Sequence, residues 1–232
     1  MGSKQRIAKY ILPIMLSYRK EDQWWVEPFV GGANIIDKVG GNRLGADINP
    51  YLIDALLSIR DHHADLPKNN TEFTEDDYLK LRNNDSYKYK GFAGFAYSYG
   101  GKWLGGWSRN RLNKRDYVNE AFRNAAKQSP KLKDVIFLNT GYQDLEIPKN
   151  SLIYCDPPYE GTTGYNNNKT FNHNIFWNWC RQKTNEGHTV FISEYNAPSD
   201  FTCIWSTNIH SSLTKNTGEK QSTEKLFILK GE

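Results

Sequence analysis

At 232 residues with a formal net charge of +4, 38% hydrophobic and 24% charged residues, the chain suits one large domain, or one domain with a substantial insert, around a real core. No apolar stretch approaches the roughly 18 residues of a membrane span, and the start has no signal-peptide pattern. Cys155, Cys180 and Cys203 are odd in number and far apart, and His62, His63, His173, His188 and His210 lack ligand spacing, so neither a disulfide framework nor a metal site is expected, and a cytoplasmic protein is.

In chain order, Lys4–Arg19 reads as a helix that Pro13 must kink or split. Residues 24–30 read as a first strand, running into the small-residue turn Gly31-Gly32-Ala33-Asn34, after which 35–39 looks helical. A second short strand over 43–48 carries an acid, Asp47, near its end. Pro50–His62 is a helix with proline suited to its first turn. Thr71–Glu75 offers a cap for a short acidic-fronted helix near 74–83. The glycines at 91, 94, 100, 101, 105 and 106 indicate loops more than a long helix, and Lys114–Lys127 is the better helical segment. Strands follow at Val135–Leu138 and 151–155, and a helix over Phe176–Asn185 stops at Gly187. Thr189–Ser193, Thr202–Trp205 and Glu224–Leu229 are the last strands, with a closing antiparallel hairpin. This alternation implies an α/β sheet with helices on both faces. The polar segment 160–172 reads as a loop beside the site, a lid or a nucleic-acid contact.

The most informative stretch is Ser-Leu-Ile-Tyr-Cys-Asp156-Pro157-Pro158-Tyr159, a short apolar strand ending in a carboxylate, two prolines and an aromatic ring. Adjacent prolines continue neither a ladder nor a helix, so they form a rigid corner. The carboxyl ends of strands in open α/β sheets are where ligands sit. A fixed carboxylate, a proline carbonyl and a ring suit a flat base bearing an exocyclic amine: two acceptors for its N–H groups and a face for stacking. The same letters also suit an ordinary turn at a strand end.

The second motif is the turn at Gly31-Gly32 with Asp47 sixteen residues beyond Gly31. That approximates the roughly 20-residue offset at which an acid meets a ribose hydroxyl in nucleotide-binding βαβ units. Neither G-x-G-x-x-G nor a phosphate-loop pattern is present. Close backbone approach without a phosphate cradle favours an adenosine cofactor lacking phosphates, of which S-adenosylmethionine is the obvious one. A Gly-Gly pair alone is equally a plain β-turn.

Charge is unevenly spread. Residues 80–133 hold thirteen Lys or Arg against three Asp or Glu, leaving the remainder net acidic. A concentrated basic stretch is the footprint of a polyanion. It also carries Tyr87, Tyr89, Phe92, Phe95, Tyr97, Tyr99, Trp103, Trp107 and Tyr117, rings on which bases can stack, although most are expected to form the stretch's own small core. Lys102, Arg109, Arg111, Lys114 and Arg115 are the candidate DNA contacts, with phosphate contact the bland role for most.

Together these residues resemble the DNA adenine-N6 methyltransferases, most closely the Dam-like, phage-encoded type. Gly2-Ser3-Lys4 is similar to the family's N-terminal cofactor motif, Pro28-Phe29-Val30-Gly31-Gly32-Ala33 to its cofactor loop with the small residues shifted, Asp47 to its second-strand acid, Asp156-Pro157-Pro158-Tyr159 to its catalytic tetrapeptide, and Ser193-Glu194-Tyr195-Asn196 to the strand end that follows. The resemblance implies a Rossmann-like methyltransferase sheet, built from 1–62 and 134–232, with a small target-recognition insert at 63–133. It implies S-adenosylmethionine held by Lys4, Phe29, Gly31, Gly32, Asp47 and Asp156. It also implies double-stranded DNA as partner, base flipping, and methyl transfer to adenine N6 at Asp156, Pro157, Pro158 and Tyr159. An amino methyltransferase acting on RNA adenine or cytosine N4 stays open, as does a non-catalytic nucleic-acid-binding protein. The missing dinucleotide fingerprint disfavours an oxidoreductase.

Overall fold

A computed structural model describes residues 4–109, 115–160, 171–210 and 221–231. Its centre is a seven-stranded sheet: β1 Trp25–Glu27, β2 Arg43–Asp47, β3 Val135–Asn139, β4 Leu152–Cys155, β5 Thr189–Glu194, β6 Phe201–His210 and β7 Gln221–Leu229, in the order β3-β2-β1-β4-β5-β7-β6. β1 to β5 pair in parallel, while β7 inserts antiparallel between β5 and β6. The expected closing hairpin is therefore present. The chain winds outward from β1 to β3 and then restarts at β4 on the other side, so the order reverses between β1 and β4, the crevice where ligands bind in such sheets.

Strand alternation puts two hydrophobic layers on the sheet. Leu152, Tyr154, Trp25 and Phe191 join one core with α1 (Ala8–Tyr18), α2 (Pro50–His62), α4 (Lys90–Ala96) and α5 (Tyr117–Leu132). Ile153, Cys155, Val26, Val190 and Ile192 face the opposite way, onto Phe176, Trp177 and Cys180 of α6 (His173–Asn185). Strands buried on both faces read as continuous apolar runs, and β4 is buried at every position. The expected α/β sheet with helices on both faces is what forms.

Several boundaries differ from expectation. The first strand stops at Glu27 because Pro28 cannot extend a ladder. The first α-helix begins at Ala8, after a 3₁₀ turn over Lys4–Arg6, and runs unsplit through Pro13. Burial of Ile11, Leu12 and Met15 on either side of the proline holds it in one piece although one ladder bond is missing. Residues 36–38 form only a 3₁₀ turn. Thr74 and Asp77 form a reciprocal capping box at the start of α3, Glu75–Lys80. α5 starts later than expected, after Asp116, whose carboxylate accepts the Asn119 N–H at 2.8 Å.

The glycine-rich stretch forms a turn at Gly100 and Gly101 and a loop at Gly105 and Gly106, as expected, and departs from that reading at its start. Gly91 and Gly94 lie inside α4, and both are there for close packing. A side chain at Gly91 would collide with the Tyr51 carbonyl and Asp54 carboxylate of α2, and one at Gly94 with the Trp103 indole. Gly91 also donates its N–H to Asp54 Oδ2 at 2.7 Å. Gly91→Ala should therefore lower unfolding free energy by about 1–3 kcal/mol. Gly40→Ala, where the space is open, should change it by less than about 0.5 kcal/mol. Urea denaturation of both variants checks the pair; equal effects would mean α2 and α4 are not in that contact.

Candidate active site

Five strands deliver an acid to the same edge of the sheet. Asp47, Glu27 and Glu194 are the last residues of β2, β1 and β5, and Asp156 follows the last residue of β4. Glu224 comes from the first half of the antiparallel β7, one residue before Lys225, which pairs with Glu194. Sequence reading found Asp47, Asp156 and the Glu194 segment. It missed Glu27 and Glu224 as site residues.

On the β2 side the loop after β1 turns sharply. Gly31 has φ +50° and Ala33 φ +57°, in the left-handed region that Gly tolerates at little cost. The Gly31 N–H donates to Asp47 Oδ2 at 3.4 Å, and the Asn49 N–H to Asp47 Oδ1 at 2.9 Å. Burial raises the Asp47 pKa, and these two N–H groups oppose the rise. Thus the two parts of the second sequence motif meet. There is open space where a Gly31 side chain would stand, and beside Asp47 the apolar Ile48 is 74% exposed. Phe29 instead packs in an aromatic cluster, its centroid 5.3 Å from Tyr142 and 5.7 Å from Phe176. Gly32 is exposed at the turn.

At β4, Asp156 stands half-buried, followed by buried Pro157 and half-buried Pro158 and Tyr159. Lys4 reaches this group from the far end of the chain, not the Gly31–Gly32 turn. Its ammonium pairs with Asp156 Oδ1 and with Glu224 Oε2, each at 3.1 Å. It also donates to the Tyr159 hydroxyl and lies 4.4 Å from that ring's centroid. The Tyr159 hydroxyl donates to Glu224 Oε2 at 2.7 Å. Tyr195 meets the Tyr159 ring edge-to-face at 4.6 Å between centroids. Glu194 accepts the Glu160 N–H at 2.7 Å and the Tyr195 N–H, tying the Asp156–Tyr159 corner to the end of β5.

The electrostatics follow from crowding acids in a partly dry place. Burial raises the Asp156 pKa, the Lys4 ammonium pulls it back, and the Glu224 charge adds to the rise. Burial works against the charge on Lys4, yet Asp156 and Glu224 outweigh it and its pKa lies above the ordinary lysine value. Glu27 forms no ion pair among the described residues, and the Lys38 charge opposes its protonation only weakly. It is 2% exposed, accepts the Trp25 indole N–H at 2.8 Å, and burial pushes its pKa up to about 8, with Asp156 adding to the shift.

Of the candidate DNA contacts, Lys102, Arg109 and Arg115 are exposed. Arg109 pairs with Glu75, and Arg115 with Glu120 at 2.6 Å while lying over the Tyr117 ring. Arg111 and Lys114 lie outside the described residues. Among the described residues no group of three or more His, Cys, Asp or Glu is arranged to hold a metal ion, and no helix is long and apolar enough to cross a membrane.

The model of the D12 class N6 adenine-specific DNA methyltransferases matches residues 1–216. The chain belongs to that family. It is 24% identical over 192 residues to the type II methyltransferase M.FokI of Planomicrobium okeanokoites, a match over 71% of this chain and 29% of that protein. The chain thus spans less than a third of that relative's length. A crystal structure of SMU.472, assigned as a methyltransferase and complexed with SAH, aligns with 99% of this chain and 53% of its own at 12% identity and a TM-score of 0.36.

A neutral buried Glu27 has a consequence for stability. Its proton stays bound in the folded chain up to about pH 8 but leaves the unfolded chain near pH 4.5. Between those values the unfolded state binds fewer protons, so stability falls as pH rises, by about 1.4 kcal/mol per unit. Glu27→Gln keeps the acceptor for Trp25 and lacks the proton. Its stability should gain on wild type progressively from pH 5 to pH 8 in urea denaturation; parallel pH profiles would show that Glu27 ionises normally.

Proposed function

We propose that the chain transfers the methyl group of S-adenosylmethionine to the N6 amino group of adenine in double-stranded DNA, the target base being flipped out of the helix. The observation that carries the reading is Asp156, held at the end of β4 across the switch point from the Gly31–Asp47 turn, in a member of this family.

The residues of the turn suit the donor. An open positive-φ glycine, a carboxylate anchored by two backbone N–H groups and an exposed isoleucine fit, respectively, the close approach, the ribose hydroxyls and the adenine face of S-adenosylmethionine. Gly31, Gly32, Asp47 and Ile48 would hold it, with Phe29 supporting the loop from behind, while Lys4 and Asp156, also expected to hold it, pair with each other at the place assigned to the base. Bound there, it supplies an electrophilic methyl group on a sulfonium.

The protein's own task is the amine. The N6 lone pair is delocalised into the adenine ring and is a poor nucleophile. Asp156 and the Pro157 carbonyl accept the two N6 protons in hydrogen bonds, which draws the nitrogen toward a pyramidal shape and localises the lone pair. Asp156 then stabilises the positive charge that develops on nitrogen, with the carboxylate already in place, until one N6 proton is lost to solvent and the methylated amine is neutral. Pro157 and Pro158 keep the corner rigid, and Tyr159 stacks on the base. No covalent enzyme intermediate is needed. Flipping costs a few kcal/mol, offset by stacking and by basic contacts to phosphates. In this reading 63–133 is the DNA-recognition insert between the two parts of a catalytic domain, 1–62 and 134–232, and Lys102, Arg109, Arg111, Lys114 and Arg115 meet the phosphates. The free thiols of Cys155, Cys180 and Cys203 suit a reducing cytoplasm. Likeness to a type II methyltransferase supports a role in restriction–modification.

Labelled S-adenosylmethionine with unmethylated duplex DNA, and RNA in parallel, tests the reading. Label should appear as N6-methyladenine in DNA. Asp156→Ala should lower the rate by about a hundredfold or more with cofactor affinity retained. Asp47→Ala should weaken cofactor binding about tenfold or more through the lost charge-assisted hydrogen bonds. Label in RNA or in cytosine would move the substrate, and an active Asp156→Ala would remove the mechanism.

A further inference from the structure

The Lys4 ammonium stands where the proposed reaction needs the target base. It pairs with Asp156 Oδ1, on the carboxylate assigned to adenine, and donates to the hydroxyl at the edge of the Tyr159 ring. The ammonium and the N6 amino group compete for that carboxylate, so Lys4 has to leave Asp156 as adenine arrives. The Lys4 side chain is only 11% exposed. An ammonium that gives up one carboxylate in so dry a place needs another, because an unpaired buried charge is heavily penalised.

Glu224 is already that second partner. Its side chain is 12% exposed, and its Oε2 takes Lys4 at 3.1 Å and the Tyr159 hydroxyl at 2.7 Å. One oxygen on β7 therefore holds the cation to be moved and the ring to be stacked on. We propose that Glu224 is a positioning residue for methyl transfer: it retains the Lys4 ammonium and the Tyr159 hydroxyl while the N6 amino group of adenine replaces Lys4 on Asp156. The inference rests on the methyltransferase reading above, and in it Glu224 acts through Lys4 and Tyr159 rather than on the reacting atoms. Without the Glu224 carboxylate, Asp156 is left as the carboxylate that holds Lys4, and adenine has to win it from a cation with nowhere to go. The penalty falls on the docking of the base after DNA has bound, hence on kcat.

The test uses the full chain with labelled S-adenosylmethionine and unmethylated duplex DNA, and S-adenosylhomocysteine binding by calorimetry as a readout independent of turnover. Glu224→Gln should lose about tenfold or more in kcat, with S-adenosylhomocysteine affinity within about twofold of wild type. Glu224→Asp, which keeps the charge, should recover several-fold over Glu224→Gln. In a Lys4→Met background, read in single turnover so that small rates remain measurable, Glu224→Gln should cost less than about threefold, since the cation it serves is gone. If Glu224→Gln fails to bind S-adenosylhomocysteine, Glu224→Asp carries the comparison: affinity held, kcat reduced, and the reduction lost in the Lys4→Met background. Wild-type kcat in Glu224→Gln, or an equal loss with and without Lys4, would overturn the inference. An active wild type with an inactive Asp156→Ala and an unimpaired Glu224→Gln sinks this inference alone; no transfer to DNA adenine by wild type removes the proposed function first.

Discussion

The Lys4 ammonium holds the site together against its own charges. Asp47, Glu27, Asp156, Glu194 and Glu224 end up at one edge of the sheet because the parallel strands all finish there and β7 begins there. Like charges in a half-dry crevice repel and prefer to stay protonated. The site resolves this differently at each acid. Asp47 and Glu194 are each anchored by two backbone N–H groups, Asp156 and Glu224 share Lys4, and Glu27 keeps its proton. The pair around Lys4 depends on a side-chain ammonium from another part of the chain, and that pair includes the residue assigned to the chemistry.

Lys4 can do this only because distant parts of the chain meet. It precedes α1, while Glu224 lies 220 residues later in the chain on the strand that slips between β5 and β6. The burial of Ile7, Ala8 and Ile11 fixes the start of α1 against the core, and the pairing of β7 with both β5 and β6 fixes Glu224. The Asp156–Tyr159 corner is held at three points in consequence: the prolines within it, Glu194 accepting the backbone just after Tyr159, and Glu224 on the Tyr159 hydroxyl. Such over-determination is what preorganised sites need, since positioning errors of about 1 Å are expensive in rate.

The parts of this site that were legible in the sequence are those whose signal is local. Asp156 was visible because an apolar run, a carboxylate and two prolines stand side by side, and Asp47 because its distance from Gly31 reflects one βαβ-like crossover. The two-faced sheet was legible for the same reason: apolar runs of strand length alternate with helical segments. Glu224 was not. In Thr-Glu-Lys-Leu it looks like the solvent face of an edge strand, and only the insertion of β7 into the sheet interior brings it to the crevice. Glu27 read as one residue of a strand, and its protonation depends on burial that sequence does not encode locally. α4 was misread because glycine marks both loops and close helix approach, and the partner that decides between them, Tyr51 of α2, lies 40 residues earlier for Gly91.

The basic, aromatic stretch divides along the same physical line. Tyr89, Phe92, Phe95 and Tyr97 are buried, and Tyr87, Trp103 and Trp107 pack against that core, so these rings are committed to folding. Tyr99 is different. It is 70% exposed on a turn whose base is pinned by Tyr78, through hydrogen bonds with Ser98 and with the Gly106 N–H. Lys102 follows on the same turn and, among the described residues, has no ion-pair partner, whereas Arg109 and Arg115 already have Glu75 and Glu120. An arginine with an acid beside it has to exchange that acid for a phosphate, and the net gain shrinks accordingly. A lysine without an ion pair and an exposed ring on an anchored turn carry no such cost, so among the described residues this turn is better prepared to meet nucleic acid than Arg109 and Arg115, which charge count alone overstates.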